Sequence, residues 1–383
     1  MRKIFPLLAA IALMCSCEND DTDFSAYING NGGDTSSSVI NITYNGTSVT
    51  VTGDTNGYVT TSGADVTVDT GSDTDSLLLV VSGQTSDGSL LIYRQKKFGI
   101  KLNGVSITNA DGPAINNQCG KALYLEVASG TTNTLTDGTS YTDVTDSSGN
   151  KIDQKGALFS EGQVILSGTG TLTVNGNCKH GFACDDYIIV DDNVTLNVSS
   201  QAGNGIKVND GLWINNGTIG ISVTADGARG IRCDSTVVIS GGTTTITTTG
   251  DCVYDSTEQD YNSAACIKCD YQFTMTGGTL SMTSSGDGGK GINCAADVVF
   301  SGGTLVAKTT GDNDYGKPKA LKSDTGIIVS GGSFTATVEK SWACDNGYED
   351  DTLSDAELAL KRITVEGSPS SASIQKKSVI IKY

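Results

Sequence analysis

From residue 155 onward the chain is written in short stretches where apolar and polar side chains alternate, and helical spacing is absent until residue 353. In one series Phe182/Cys184, Ile206/Val208, Ile231/Cys233, Ile267/Cys269, Ile292/Cys294 and Leu321/Ser323 point one way. Ala183, Lys207, Arg232, Lys268, Asn293 and Lys322 point the other. A second series runs through Val164/Leu166, Ile188/Val190, Leu212/Ile214, Val237/Ile239, Phe273/Met275, Val298/Phe300 and Ile327/Val329. A third runs through Leu172/Val174, Leu196/Val198, Ile219/Ile221, Leu280/Met282, Leu305/Ala307 and Phe334/Ala336. Alternation of period two places each apolar set on one face of a strand.

The series recur together. Turn residues Gly168, Asp192, Asn216, Gly241, Gly277, Gly302 and Gly331 are spaced 24, 24, 25, 36, 25 and 29 residues apart. A second marker, Ser160, Cys184, Val208, Cys233, Cys269, Cys294, Ser323 and Cys344, keeps step at 24, 24, 25, 36, 25, 29 and 21. A unit of 24 to 25 residues with three strands cannot bury its inner face alone, but stacked units can. The pattern therefore predicts an all-β fold, a right-handed parallel β-helix with three strands per coil over 39–345. Residues 39–150 are read as its first rungs with loop insertions. Ser354 and Glu357 form a capping box that opens a short helix to about Lys361. With strands near 362–366 and 378–382 it makes a C-terminal cap, 346–383, over an otherwise open solenoid end.

The first residues assign a compartment. Arg2 and Lys3 precede an apolar run from Ile4 to Met14 that stops at Ser16-Cys17, the layout of a lipoprotein signal peptide over 1–16 with Cys17 as the lipidated residue. The acidic, then Gly/Ser-rich segment 17–38 reads as a tether and resembles the export tag of bacterial surface lipoproteins. A surface-exposed outer-membrane lipoprotein, held to the membrane through the lipid on Cys17, is the expectation. With 43 acidic and 25 basic residues the net charge is −18. Nucleic acid is thereby excluded as a partner, and cations are favoured.

Stacking turns repeated residues into columns roughly 4.8 Å apart. Asp226, Asp251, Asp287 and Asp312 share one column, and at that spacing adjacent carboxylates repel by about 0.9 kcal/mol even in bulk water. Asp255, Glu258 and Asp260, in the insertion between Cys252 and Cys266, and Asp314 add oxygen donors of the kind Ca2+ takes. Alternatively, Asp-Gly only shapes the corner and nearby Lys side chains supply the counter-charge. Lys207, Arg232, Lys268 and Lys322 form a basic column that matches the carboxylate repeat of a uronate polymer. It lies beside Asp185, Asp234, Asp270, Asp324 and Asp345, so a self-compensating ionic face is the competing reading. Trp213 occupies an outward position among Ile165, Ile189, Val238, Val299 and Ile328 and is a candidate sugar-stacking ring. Trp342 falls on an inward position and is read as core or cap. Tyr187, Tyr254, Tyr261, Tyr271 and Tyr315 fall at corners or insertions, as platforms or loop seals. Cys252 with Cys266 is the disulfide to test first.

His180 is the single histidine, so histidine-rich metal sites are excluded and no catalytic triad is identified. The run Lys155-Gly-Ala-Leu-Phe-Ser-Glu-Gly-Gln-Val-Ile-Leu-Ser-Gly-Thr-Gly-Thr-Leu-Thr-Val-Asn-Gly-Asn177, then Lys179-His-Gly181, then Gly-Ile-x-Cys-Asp rungs with Ser-Gly-Gly-Thr, resembles the calcium-binding, carbohydrate-binding β-helix domain of bacterial surface proteins. That resemblance, strongest over 155–335, implies a pectate-lyase-like fold, bound calcium, and recognition of polygalacturonate-like or cellulose-like polymers without clear lyase activity. The expected function is thus calcium-dependent binding of an acidic, pectin-type polysaccharide or a β-glucan at the cell surface. A calcium-dependent polysaccharide lyase and an adhesin without a sugar ligand remain the alternatives.

Overall fold

The computed structural model of the chain describes residues 38–73 and 76–383, so the expected signal peptide, Cys17 and the expected tether up to residue 37 lie outside the described residues. Its strands stack as parallel coils. Face one is a 12-stranded sheet in which the strands from Asp65–Asp69 to Trp342–Asp345 run parallel, one per coil, behind a single antiparallel strand at Val59–Ser62. Faces two and three merge into one 23-stranded sheet because Leu77–Thr85 and Phe98–Thr108 run unbroken round the corner between them. The fold is therefore a β-helix of about 11 turns.

The register follows the hydrophobic pattern. On face two Val164, Ile188, Leu212, Val237, Phe273, Val298 and Ile327 pair in succession, and all are buried. On face one Ser160, Cys184, Val208, Cys233, Cys269, Cys294 and Ser323 do the same. A slip of one residue would turn every such side chain to water, so the buried face enforces the register. Between faces two and three the turn needs left-handed backbone: Gly278 and Gly303 have φ of 74° and 83°. A Cβ there would fall 2.6 and 2.5 Å from carbonyl oxygens of the coil below, which fixes glycine in that column.

Both ends are closed by antiparallel pairs. Ser38–Asn45 pairs with Val49–Thr52 at the start. At the other end the last coil is covered by Ser371–Gln375 and Ser378–Lys382, after a helix, Asp355–Lys361, whose capping box joins Ser354 and Glu357 as the sequence implies.

Two expectations are corrected, and the choice between core and cap for Trp342 is decided for the cap. Cys344 pairs with Leu321 and Asp345 with Lys322, so the last rung is two residues out of the expected register and Asp345 joins the basic column instead of the acidic one. Trp342 does not point into the core. It pairs with Lys319, is half-buried, and its ring lies between the Arg362 guanidinium (4.3 Å to the centroid) and the Lys376 ammonium (5.0 Å), sealing the cap. Cys252 and Cys266 are free thiols that point to different partners, the Tyr315 carbonyl for one and Thr248 with the Ile246 carbonyl for the other.

One core position breaks the pattern. Thr244 stands where Ile219 and Leu280 stand in adjacent coils, it is fully buried, and its hydroxyl has no partner. Thr244→Val keeps the shape and removes that orphan, so it should raise unfolding stability by about 1 kcal/mol. A lower urea midpoint for the variant would contradict this account.

Candidate functional site

The outer surface of face one carries the chemistry. Ala183, Lys207, Arg232, Lys268, Asn293 and Lys322 stack in one column because period two turns them outward between the buried residues. Most of these cations are already paired. Lys207 meets Asp234 at 2.6 Å, Arg232 meets Asp234 at 2.9 Å and Asp270 at 2.5 Å, and Lys322 meets Asp324 at 3.0 Å. Much of the column is thus the self-compensating face that was the competing expectation.

Two cations escape it. Neither the Lys268 ammonium nor the Arg229 guanidinium has a hydrogen-bond or ion-pair partner among the described residues, and Arg229 Nε is buried and unsatisfied. Arg229 opens the strand Arg229–Cys233 and pairs with Ala265 at the head of Ala265–Cys269, the strand that carries Lys268. Burial, and then the Arg229 and Arg232 charges, hold Lys268 below its ordinary pKa. Burial and Arg232 do the same to Arg229. Asp270, already bonded to Arg232, reaches both by charge but does not offset burial and repulsion, so an anion placed between them is stabilised. The sequence singled out Lys268 by its column but passed over Arg229, which stands three residues before Arg232 at the start of that strand.

Toward the start of the helix the same face becomes acidic. Asp153, Glu161 and Asp185 are the one group of three such ligands among the described residues whose oxygens converge within 4.8 Å. Burial, followed by the charge of Asp185, raises the Glu161 pKa. Lys155 bridges Asp185 and Asp153, the latter at 2.7 Å, so an ammonium group already supplies counter-charge. Beside it the 137–155 insertion walls a cleft of about 590 Å³ lined by Tyr141, Lys151, Asp153, Lys155 and Lys179, among others. Tyr141 donates to the buried Asp137 carboxylate at 2.6 Å, and the Lys179 ammonium stands 5.1 Å from the Tyr141 ring centroid. The signal of this cleft along the chain is the gap from Thr136 to Gly156, too long for a corner turn.

The expected aspartate column is in register but has a different internal chemistry. Asp226, Asp251 and Asp287 each accept the backbone N–H of the next rung's aspartate through Oδ1, at 2.9, 2.8 and 2.8 Å. Backbone dipoles therefore offset part of the repulsion that seemed to demand metal, and Lys340 stands 3.8 Å from Asp312. Only the second oxygen of each carboxylate stays free, and the four do not converge as a three-carboxylate cage. The donors are hard oxygens of the type calcium accepts, but they fit a bridging ion on an open edge better than an enclosed six- to eight-oxygen site. Asp255 is spent on its own hairpin, accepting from the Thr257 and Glu258 N–H groups and the Asn262 side chain. Glu258, Asp260 and Asp314 are exposed and are not gathered around the ladder. Trp213 lies on face two, edge-on to Tyr187 with ring centroids 5.8 Å apart, and is not brought to the basic column of face one.

Comparison with known proteins agrees with this architecture. A family model described as carbohydrate-binding domain-containing protein matches residues 62–229 and 222–314. A carbohydrate-binding domain-containing protein of Acetivibrio thermocellus is 32% identical over 118 residues, covering 30% of this chain and 40% of that relative. A solved structure, described as the polysaccharide lyase-like protein from C. thermocellum in a gadolinium derivative, superposes over 71% of this chain and 99% of its own, with a TM-score of 0.55 and 22% identity.

His180 fits no general-base role. Its Nδ1 accepts the Asn204 N–H at 3.0 Å, and burial, with the charges of Lys207, Lys179 and Lys155, pushes its pKa down to about 4. A folded value below the ordinary 6.5 means that this imidazole supports the fold fully above that value and progressively less as pH falls toward 4. Between pH 7 and pH 4 the wild type should lose on the order of 2–3 kcal/mol more stability than His180→Gln. Parallel pH profiles of unfolding for the two proteins would refute this.

Proposed function

Because the chain belongs to the family of carbohydrate-binding domain-containing proteins, we propose that face one holds an acidic polysaccharide, with a uronate carboxylate seated at Lys268 and Arg229. The observation that carries this reading is the unpaired state of those two cations on a face where Lys207, Arg232 and Lys322 are all neutralised. A carboxylate forms charge-assisted bonds to both and relieves their repulsion. The polymer then runs along the stacked coils, where the flanking ion pairs offer hydroxyl partners at rung spacing. Calcium enters as a bridge: the free oxygens of Asp226, Asp251, Asp287 and Asp312 are the donors on hand for an ion shared with a polyanion. The lipoprotein-type signal read at 1–16, followed by Cys17, supports placement of the domain at the outer surface of the cell through a lipid on Cys17.

Retention on immobilised polygalacturonate tests the reading. Lys268→Ala and Arg229→Met should each weaken binding at least about tenfold, whereas Lys322→Ala, which removes an already paired cation, should change it less than about threefold. Equal losses from all three, in variants with wild-type circular dichroism, would reduce the effect to net charge and end the assignment of a site. A chelator should lower retention if calcium bridges. Growth of absorbance from unsaturated products in the same incubation would move the protein to the lyases.

A further inference from the structure

Two loops depart from the coil. The first is a hairpin, Val253–Asp255 paired with Asp260–Asn262, in which Tyr254 and Tyr261 face each other across the strands. The second is the loop between Thr304–Thr309 and Lys319–Ser323, which carries Tyr315. Their rings meet: Tyr254 and Tyr261 are 5.2 Å apart between centroids at 65°, and Tyr261 and Tyr315 are 6.3 Å apart at 50°. The three remain 53%, 38% and 54% exposed, and no phenol hydroxyl among them has a partner among the described residues.

Hairpin stability explains one cross-strand pair of rings, but not the third ring from a separate loop. The rings are also held rather than trailing. Asp255 ties the hairpin turn through three hydrogen bonds, Ser263 at its base is bonded to the buried Lys290 ammonium, and the Cys252 thiol bonds the Tyr315 carbonyl. A fixed, exposed aromatic surface with free hydroxyl rims matches the alternating C–H faces and hydroxyl edges of a pyranose chain.

Charge sets the class of sugar. Asp255, Glu258, Asp260 and Asp314 flank these rings along the two loops, and none of the four makes an ion pair among the described residues. A uronate would meet a negative field there, while carboxylate oxygens accept hydrogen bonds from neutral hydroxyls. We infer that Tyr254, Tyr261 and Tyr315 form a stacking platform for a neutral hexopyranose chain, flanking the anion-binding strands of face one. The inference rests on the reading of the chain as a polysaccharide binder and adds a site of opposite charge preference.

Calorimetric titration with a soluble β-linked gluco-oligosaccharide, run beside polygalacturonate retention, tests it. Tyr254→Ala and Tyr315→Ala should each weaken the neutral sugar at least about fivefold, and Tyr254→Phe should stay within about twofold, while polygalacturonate retention is unchanged. If Tyr254→Ala unsettles its hairpin, Tyr315→Ala on the other loop reads the same effect. Equal affinity in the alanine variants, or no gluco-oligosaccharide binding by a wild type that retains polygalacturonate, overturns the platform. So does loss of self-association, rather than of sugar binding, on removing the rings. A wild type that retains neither polymer overturns the broader reading instead.

Discussion

The structure depends on one constraint: each coil lends its backbone hydrogen bonds to the coil above, in an unshifted register. From that pairing come the buried ladders, since Val164 through Ile327 can share one interior column only if every coil closes at the same length in projection. The glycine column between faces two and three is the steric expression of the same rule, because a Cβ at Gly278 or Gly303 would strike the carbonyl below. Insertions survive only where they leave the coil entirely, as the 253–262 hairpin does. Function has therefore been written either into columns or into departures from them.

The columns were legible in the sequence because period two and the 24–25-residue unit specify which side chains stack. Placing Lys207, Arg232, Lys268 and Lys322 on one line required no contact information. What the pattern could not supply was which of these charges would be spent. Arg232 turns toward Asp234 in its own rung and Asp270 in the next, whereas Lys268 finds no carboxylate free. That distinction depends on rotamers and on Arg229, whose position at a strand start follows from the corner geometry and not from alternation. The last rung was misplaced for a similar reason: the coil from Leu321 to Cys344 takes 23 residues, not the 21 counted from Ser323, which moves Cys344 and Asp345 into neighbouring columns.

The aspartate ladder shows how a repeat can mislead about chemistry while predicting position correctly. Carboxylates in register were expected to repel until a metal neutralised them. Each instead accepts a backbone N–H from the next rung, an arrangement available only at a corner where the amide points along the stack. Side-chain and backbone donors compete for the same oxygen, and the nearer backbone donor wins. The carboxylates then serve as corner braces first, with one oxygen each left over for an ion or a sugar hydroxyl.

Binding energy in such a solenoid has to come from residues the repeat does not need. A cation that already holds a neighbouring aspartate gains little from a sugar carboxylate, since forming the new bond breaks an old one. Lys268 and Arg229 break nothing, and their repulsion falls when an anion arrives. The tyrosines obey the same logic: Phe300 and Phe334, packed at 5.6 Å within the core, are committed to folding, whereas Tyr254, Tyr261 and Tyr315 are ordered by their loops and left half in water. Unsatisfied cations on one face and exposed rings on the adjoining loops thus mark where the scaffold holds interactions in reserve, the first suited to an acidic group and the second to a neutral one.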